Sequence, residues 1–164
     1  MGRRPHRLAP SQYIGCRQYF LTLCVYRRRR LFTDPALVDS VGSQFLQTAE
    51  ECALAVLAYC FMPDHLHAVV LGGAADADFR RFLDRAKQRT GYMFARTHGG
   101  RLWQPGAFER TIRENEDVLA TIDYVITNPV RASLVTSARD YPHWGSQIYS
   151  REQLLDTLAG RARA

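Results

Sequence analysis

Two runs of β-branched and aliphatic residues, Leu54 to Met62 and Leu66 to Leu71, stand back to back around Pro63-Asp64. Each run has strand length, and Pro-Asp between them is a turn signal, so the first strand turns directly into the second. The second run is apolar throughout, which suits a central strand covered on both faces. Its opening residues are His65-Leu66-His67. Alternate strand residues share a face, so both imidazoles project to one side with Cα atoms about 6.5–7 Å apart. Two imidazoles at that spacing can reach one metal ion. Ordinary strand histidines would show the same pattern, and the decision falls to a second segment.

That segment is Tyr124-Val125-Ile126-Thr127-Asn128-Pro129. Glu114, Glu116 and Asp117 precede it, where a helix N-terminus favours negative charge, and Asn115 is a candidate cap. Val118, Ile122, Val125 and Ile126 form an apolar stripe. Asn128-Pro129 is a stop signal, because the residue before proline is pushed away from helical geometry. Tyr124 and Asn128, four residues apart, lie one turn apart on a common face, where a phenol and an amide oxygen can be delivered together. Taken alone, the pair would read as a core-edge tyrosine and a C-cap asparagine.

Other elements follow the same signals. Arg17 to Tyr26 is a strand candidate ending in Arg27 to Arg30. Thr33 or Asp34 can cap a helix with Pro35 in its first turn and Leu37, Val41 and Phe45 on one side. Gly72-Gly73 ends the histidine strand. A helix over about 76–95 turns Phe79, Phe82, Leu83 and Ala86 inward and leaves Arg80, Arg81 and Lys87 outward. A loop through Trp103 leads to a short strand over 108–112. The order strand–helix–strand–strand–helix–strand–helix predicts an α+β fold, an antiparallel sheet with helices packed on it. Residues 1–150 form one domain and residues 151–164 a C-terminal tail that can form a short helix.

At 164 residues the chain can bury a substantial core. It has no eighteen-residue apolar run and no apolar signal core, which argues against a membrane span or secretion. Cys16, Cys24, Cys52 and Cys60 form no C-x-x-C, and the reading is free thiols in a reducing cytoplasm. Charge is uneven. Arg3, Arg4, Arg7, Arg17 and Arg27 to Arg30 precede any acidic residue, no Lys or Arg occurs from Leu31 to Phe79, and the net charge is +6. Arginine supplies all but one of the 22 basic side chains; its planar fork suits phosphate, and nucleic acid is the natural partner. Arg27, Arg28, Arg29 and Arg30 can track a DNA backbone or form a solvated strand end. Trp103, Phe108 and Trp144 can stack on unpaired bases or pack loops onto the sheet. Arg113 and Arg131 flank the tyrosine helix and can contact phosphate or pair with carboxylates.

A strand bearing His-hydrophobe-His, followed by a helix with Tyr and a polar residue four positions on, resembles the single-tyrosine HUH transposases. Longer runs resemble one branch, the REP-associated tyrosine transposases: Tyr19-Phe20-Leu21-Thr22, Phe61-Met62-Pro63-Asp64-His65-Leu66-His67, Trp103-Gln104-Pro105-Gly106-Ala107-Phe108-Glu109-Arg110, Ile112-Arg113, Asn128-Pro129-Val130-Arg131-Ala132-Ser133-Leu134-Val135 and Asp140-Tyr141-Pro142. The similarity spans about residues 13–146 in the family's order. Ser133 stands where the family usually has glycine, Asp64 where it often has asparagine, and Asn128 where related branches carry glutamine.

The resemblance implies a ferredoxin-like sheet and a metal-dependent transesterase. Tyr124 would be the nucleophile, His65 and His67 metal ligands with Asn128 as a third, and the ion magnesium or manganese. Imidazole by itself tolerates many transition ions. Single-stranded DNA near a REP-like hairpin with an unpaired flank would be cleaved through a 5′-phosphotyrosine, releasing a 3′-hydroxyl, and the protein would work as a monomer. Two other classes compete. One is a non-catalytic nucleic-acid-binding module, although the RNP1 signature is missing; the other is a metal phosphodiesterase in which water attacks and Tyr124 orients substrate.

Overall fold

The computed structural model describes residues 8–161; Arg3, Arg4 and Arg7 lie outside them. Its centre is the expected pair of strands, β2 (Leu54–Met62) and β3 (His65–Gly72), with Met62 opposite His65. β1 (Gln18–Cys24) pairs on the other side of β3 and places Thr22 beside His67. β4 (Phe108–Ile112) and β5 (Trp144–Gly145) form the edges, giving the order β4-β1-β3-β2-β5 with every pairing antiparallel. The histidine strand is central. The α+β expectation holds.

Side-chain alternation splits the sheet into two faces. Tyr19, Leu21 and Leu23 of β1 and Leu66, Ala68 and Val70 of β3 join one apolar cluster; Phe20 and Val69 join the other. β2 changes parity through a bulge between Val56 and Ala58, so Val56 and Phe61 serve the first cluster while Leu57, Ala58 and Cys60 serve the second. Gly72 sits where β3 leaves the sheet, and a Cβ there would collide with the Gly15 carbonyl oxygen.

Helices α1 (Pro35–Glu51) and α2 (Phe79–His98) cover the first face. Asp34 caps α1, accepting from the Ala36 amide at 3.0 Å, with Pro35 following as expected. Asp78 caps α2, whose Phe79, Phe82, Leu83 and Ala86 are buried. Lys87 does not point outward. It is half-buried and donates to the backbone carbonyls of Gln104, at 3.0 Å, and Gly106.

The second face carries α3 (Val118–Arg131) and, from α4 (Arg151–Arg161), the buried Leu154. Two boundaries differ from expectation. The cap of α3 is Asp117 rather than Asn115, since its carboxylate reaches the amides of Leu119 (2.9 Å) and Ala120 (3.4 Å). Asn128-Pro129 does not end the helix, which continues to Arg131 with the Pro129 ring buried. Proline forfeits one amide donor, and this close to the helix end the packing of its ring outweighs that loss. The actual stop is Ser133 at φ 55°, the left-handed position that glycine normally fills. No helix among the described residues is long and apolar enough to cross a membrane.

Candidate active site

The Pro63-Asp64 turn brings His65 and His67 to the open end of the second face. Their Nε2 atoms approach to 3.0 Å, and each Nδ1 has its own partner: Asp64 Oδ1 at 2.6 Å for His65, Thr22 Oγ1 at 2.8 Å for His67. The Asp64 carboxylate can only accept, so it selects the Nδ1–H form of His65 and leaves Nε2 with a free lone pair. Thr22 can either donate to or accept from His67, so that ring can present an Nε2 proton to His65 or a second lone pair to the shared point.

Burial favours the neutral imidazoles. His67 is only 7% exposed. Burial, helped by the neighbouring His65 and Arg28, depresses its pKa to about 3. His65 is lowered as well, first by burial, with the Asp64 hydrogen bond working the other way. Both rings are therefore neutral at neutral pH, the form in which an imidazole can ligate a metal. Two ligand atoms in adjacent octahedral positions about 2.1 Å from an ion lie about 3.0 Å apart. The two Nε2 atoms match that separation. No group of three or more His, Cys, Asp or Glu side chains placed to hold a metal occurs among the described residues, so further ligands would come from water, amide or substrate oxygens.

The tyrosine helix lies beside this pair. Ile122, Val125 and Ile126 are buried beneath α3, which leaves Tyr124 39% exposed. Its ring centroid is 5.8 Å from His67 and 5.9 Å, edge-on, from Phe20. Phe20 in turn stacks on His67 at 5.5 Å, and the Arg131 guanidinium carbon lies 5.1 Å from the Tyr124 ring centroid. The phenol is thus wedged between an aromatic edge and a cation at the mouth of the histidine pair. Asn128 follows on the same helix, but its amide donates to the Tyr124 carbonyl at 3.4 Å, a bond within its own turn.

The arginine run also has a structural part, carried by its backbone. Val25 N donates to Asp64 O at 2.9 Å and Phe32 N to Pro63 O at 3.0 Å, so the chain from Val25 to Phe32 clasps the turn that carries His65. Within that clasp Arg27 and Arg28 hold left-handed φ values of 58° and 54°. Arg28 Nε reaches Asp64 Oδ2 at 2.8 Å, completing a relay from Arg28 through Asp64 to His65. Arg29 donates to the Arg101 carbonyl at 3.1 Å and Arg27 lies over the Tyr26 ring, while all four arginines remain exposed.

The aromatic candidates separate by burial. Trp103 is 5% exposed and donates its indole N–H to Thr90 Oγ1 at 2.8 Å, and Trp144 is 2% exposed and donates to the Ala138 carbonyl at 2.7 Å. Both are core residues, and neither offers a face to a base. Phe108 remains exposed. Arg113 is exposed, and its backbone amide donates to Glu116 Oε2. Thr22, Phe20 and the bracing role of Arg28 were not legible in the sequence: the first two depend on which residue of β1 falls beside β3, and the third on how the segment after β1 folds over the Pro63-Asp64 turn.

A sheet that presents a histidine pair to a tyrosine helix defines a class, the transposases described as IS200-like. The model of that family matches residues 16–128, a span holding both histidines, Tyr124 and Asn128, and the chain belongs to this family. Its relatives narrow the branch. It is 30% identical over 132 residues to the REP-associated tyrosine transposase of Escherichia coli K12, covering 79% of this chain and 76% of that one. A Haemophilus influenzae protein provisionally given the same name is 25% identical over 137 residues, covering 76% and 77%. The fold is shared with a solved REP-associated tyrosine transposase bound to a REP hairpin, at a TM-score of 0.71 and 22% identity over 87% of this chain and 82% of that one.

Proposed function

We propose that this protein cleaves and rejoins single-stranded DNA beside a hairpin, with Tyr124 as nucleophile and a divalent ion, magnesium or manganese, held by His65 and His67. The observation that carries the reading is the Tyr124 ring 5.8 Å from His67, whose Nε2 converges with that of His65 at 3.0 Å. The relative solved with a REP hairpin supports the choice of DNA. A bound ion would supply Lewis-acid stabilisation of charge on the phosphate oxygens.

The chain's own residues do the rest. Phe20 and Arg131 hold the phenol, and the Arg131 guanidinium is available to phosphate beside it. Asp64 and Thr22 fix the two imidazoles. Asn128, one turn beyond Tyr124, would complete the ligand set by releasing its bond to the Tyr124 carbonyl. The Tyr124 oxygen attacks phosphorus, the bond from phosphorus to the 3′ oxygen breaks, the phenol proton is lost, and the departing oxygen gains one. One phosphodiester is exchanged for a phosphotyrosyl diester and no water is consumed, so a 3′-hydroxyl can reverse the step. Arg113 and the exposed Arg30 would contact flanking phosphates. The protein would work as a monomer, with Tyr124 acting beside the histidines of its own chain.

The test is a labelled hairpin with an unpaired flank, incubated with manganese and resolved on a denaturing gel. Wild type should give a covalent adduct mapping to Tyr124, and Tyr124→Phe should give none while keeping fold and DNA affinity. Cleavage that persists in Tyr124→Phe without an adduct would make water the nucleophile. Calorimetric titration should show manganese binding lost in the double variant His65→Ala, His67→Ala; equal affinity there would remove the metal site.

A further inference from the structure

Beside Tyr124 lies a cavity of about 480 Å³. Phe20, Phe108 and Tyr124 wall it, and Arg110, Glu116 and Thr121 stand at its rim. Phe108 is 52% exposed at the start of edge strand β4, fixed edge-on against Phe20 at 6.0 Å and 69°. An edge contact leaves a ring face free. Of the three aromatic side chains considered for base stacking, this one alone reaches solvent, and it does so next to the nucleophile.

The electrostatics of the rim select what can enter. Arg110 Nη1 lies 3.0 Å from both carboxylate oxygens of Glu116, and Asp117 is paired with Arg161. The two cations and the two carboxylates pair off, so the opening carries no net charge to draw in a phosphate. An uncharged heterocycle needs none: it finds a face on Phe108 and edge groups on Glu116, Arg110 and Thr121. We propose that this cavity holds one unstacked nucleobase of the DNA strand adjacent to the phosphate attacked by Tyr124, with Phe108 as its stacking platform. The assignment rests on Tyr124 being the nucleophile, and it makes Phe108 a determinant of where the strand is cut. Holding that base would fix the neighbouring phosphate against Tyr124 through a short length of backbone.

The test scans the unpaired flank of the hairpin substrate with single abasic sites, measuring strand affinity for wild type, Phe108→Ala and Phe108→Tyr. At one position the abasic site should weaken wild-type binding by roughly fivefold to a hundredfold. Phe108→Ala should lose a similar factor on the intact strand and nothing further on that abasic strand. Phe108→Tyr, which keeps the ring, should behave as wild type. Because Phe108 is exposed, its truncation should leave the fold intact. Losses that multiply at every position, or full affinity of Phe108→Ala for the intact strand, overturn the proposal. Adduct formation is read in the same samples. Coupling without an adduct keeps the base pocket and removes Tyr124 as nucleophile, whereas an adduct without coupling removes the pocket alone.

Discussion

The two faces of the sheet are built from the same strands and do different work. On one, Tyr19, Leu21, Leu23, Leu66, Ala68 and Val70 are sealed under the long helices α1 and α2. On the other, Phe20, Thr22, His65 and His67 alternate with those residues and meet the shorter α3, which leaves the hairpin end uncovered. A strand residue changes face with each step, so a few positions in β1 and β3 supply both a closed core and an open site. The closed face fixes the height and twist of the strands. The open face uses that rigidity to hold two imidazole Nε2 atoms 3.0 Å apart.

The comparison breaks most visibly on the closed side. Phe82 is fully buried and meets Phe45 edge to face at 5.1 Å. Phe82→Ala should cost about 3–5 kcal/mol in denaturant unfolding. Manganese affinity of the fraction that stays folded should be unchanged; a parallel loss of affinity would mean the faces are not independent.

Arg28→Gly tests the open side with the opposite signature. It removes the guanidinium that braces Asp64 at 2.8 Å, and partners of this kind are typically worth about tenfold to a hundredfold in metal affinity. Stability should stay within about 1 kcal/mol, because glycine relieves the strain of a left-handed arginine while adding chain entropy to the unfolded state. Manganese calorimetry and urea unfolding on the same sample read both. Unchanged affinity would reduce the relay to a surface ion pair.

The smallest effect concerns the helix that roofs the open face. Ser133 holds φ 55° while its amide donates to the Val130 carbonyl at 2.9 Å. Ser133→Gly should raise stability by about 0.5–1 kcal/mol, seen as a higher midpoint at unchanged slope in urea. A destabilised variant would show that the turn is not strained. The family resemblance flags this residue as the departure from glycine, and the backbone angle supplies the reason.

The sequence by itself determined the strands on either side of Pro63-Asp64, the pairing of two histidines on one strand face, the central place of that strand and the spacing of Tyr124 and Asn128 on one helix face. These depend on residue types and periods of two or about 3.6, which are local properties. It left open what depends on contacts between distant segments. The four arginines read as a DNA-tracking run or a solvated strand end; their backbone clasps the Pro63-Asp64 turn through hydrogen bonds from Val25 to Asp64 and from Phe32 to Pro63, and their side chains stay exposed. Trp103 and Trp144 could stack on bases or pack loops onto the sheet, and they are core, because their N–H groups find Thr90 and Ala138 inside the fold. Asn128-Pro129 looked like a helix end, and burial of the Pro129 ring carried α3 two residues further. Only the tertiary structure decided that Thr22 partners His67, that Arg28 braces His65 through Asp64, and that Phe108 faces solvent beside Tyr124. Periodicity tells a side chain which way to point; strand register and the packing of remote segments decide what it meets there.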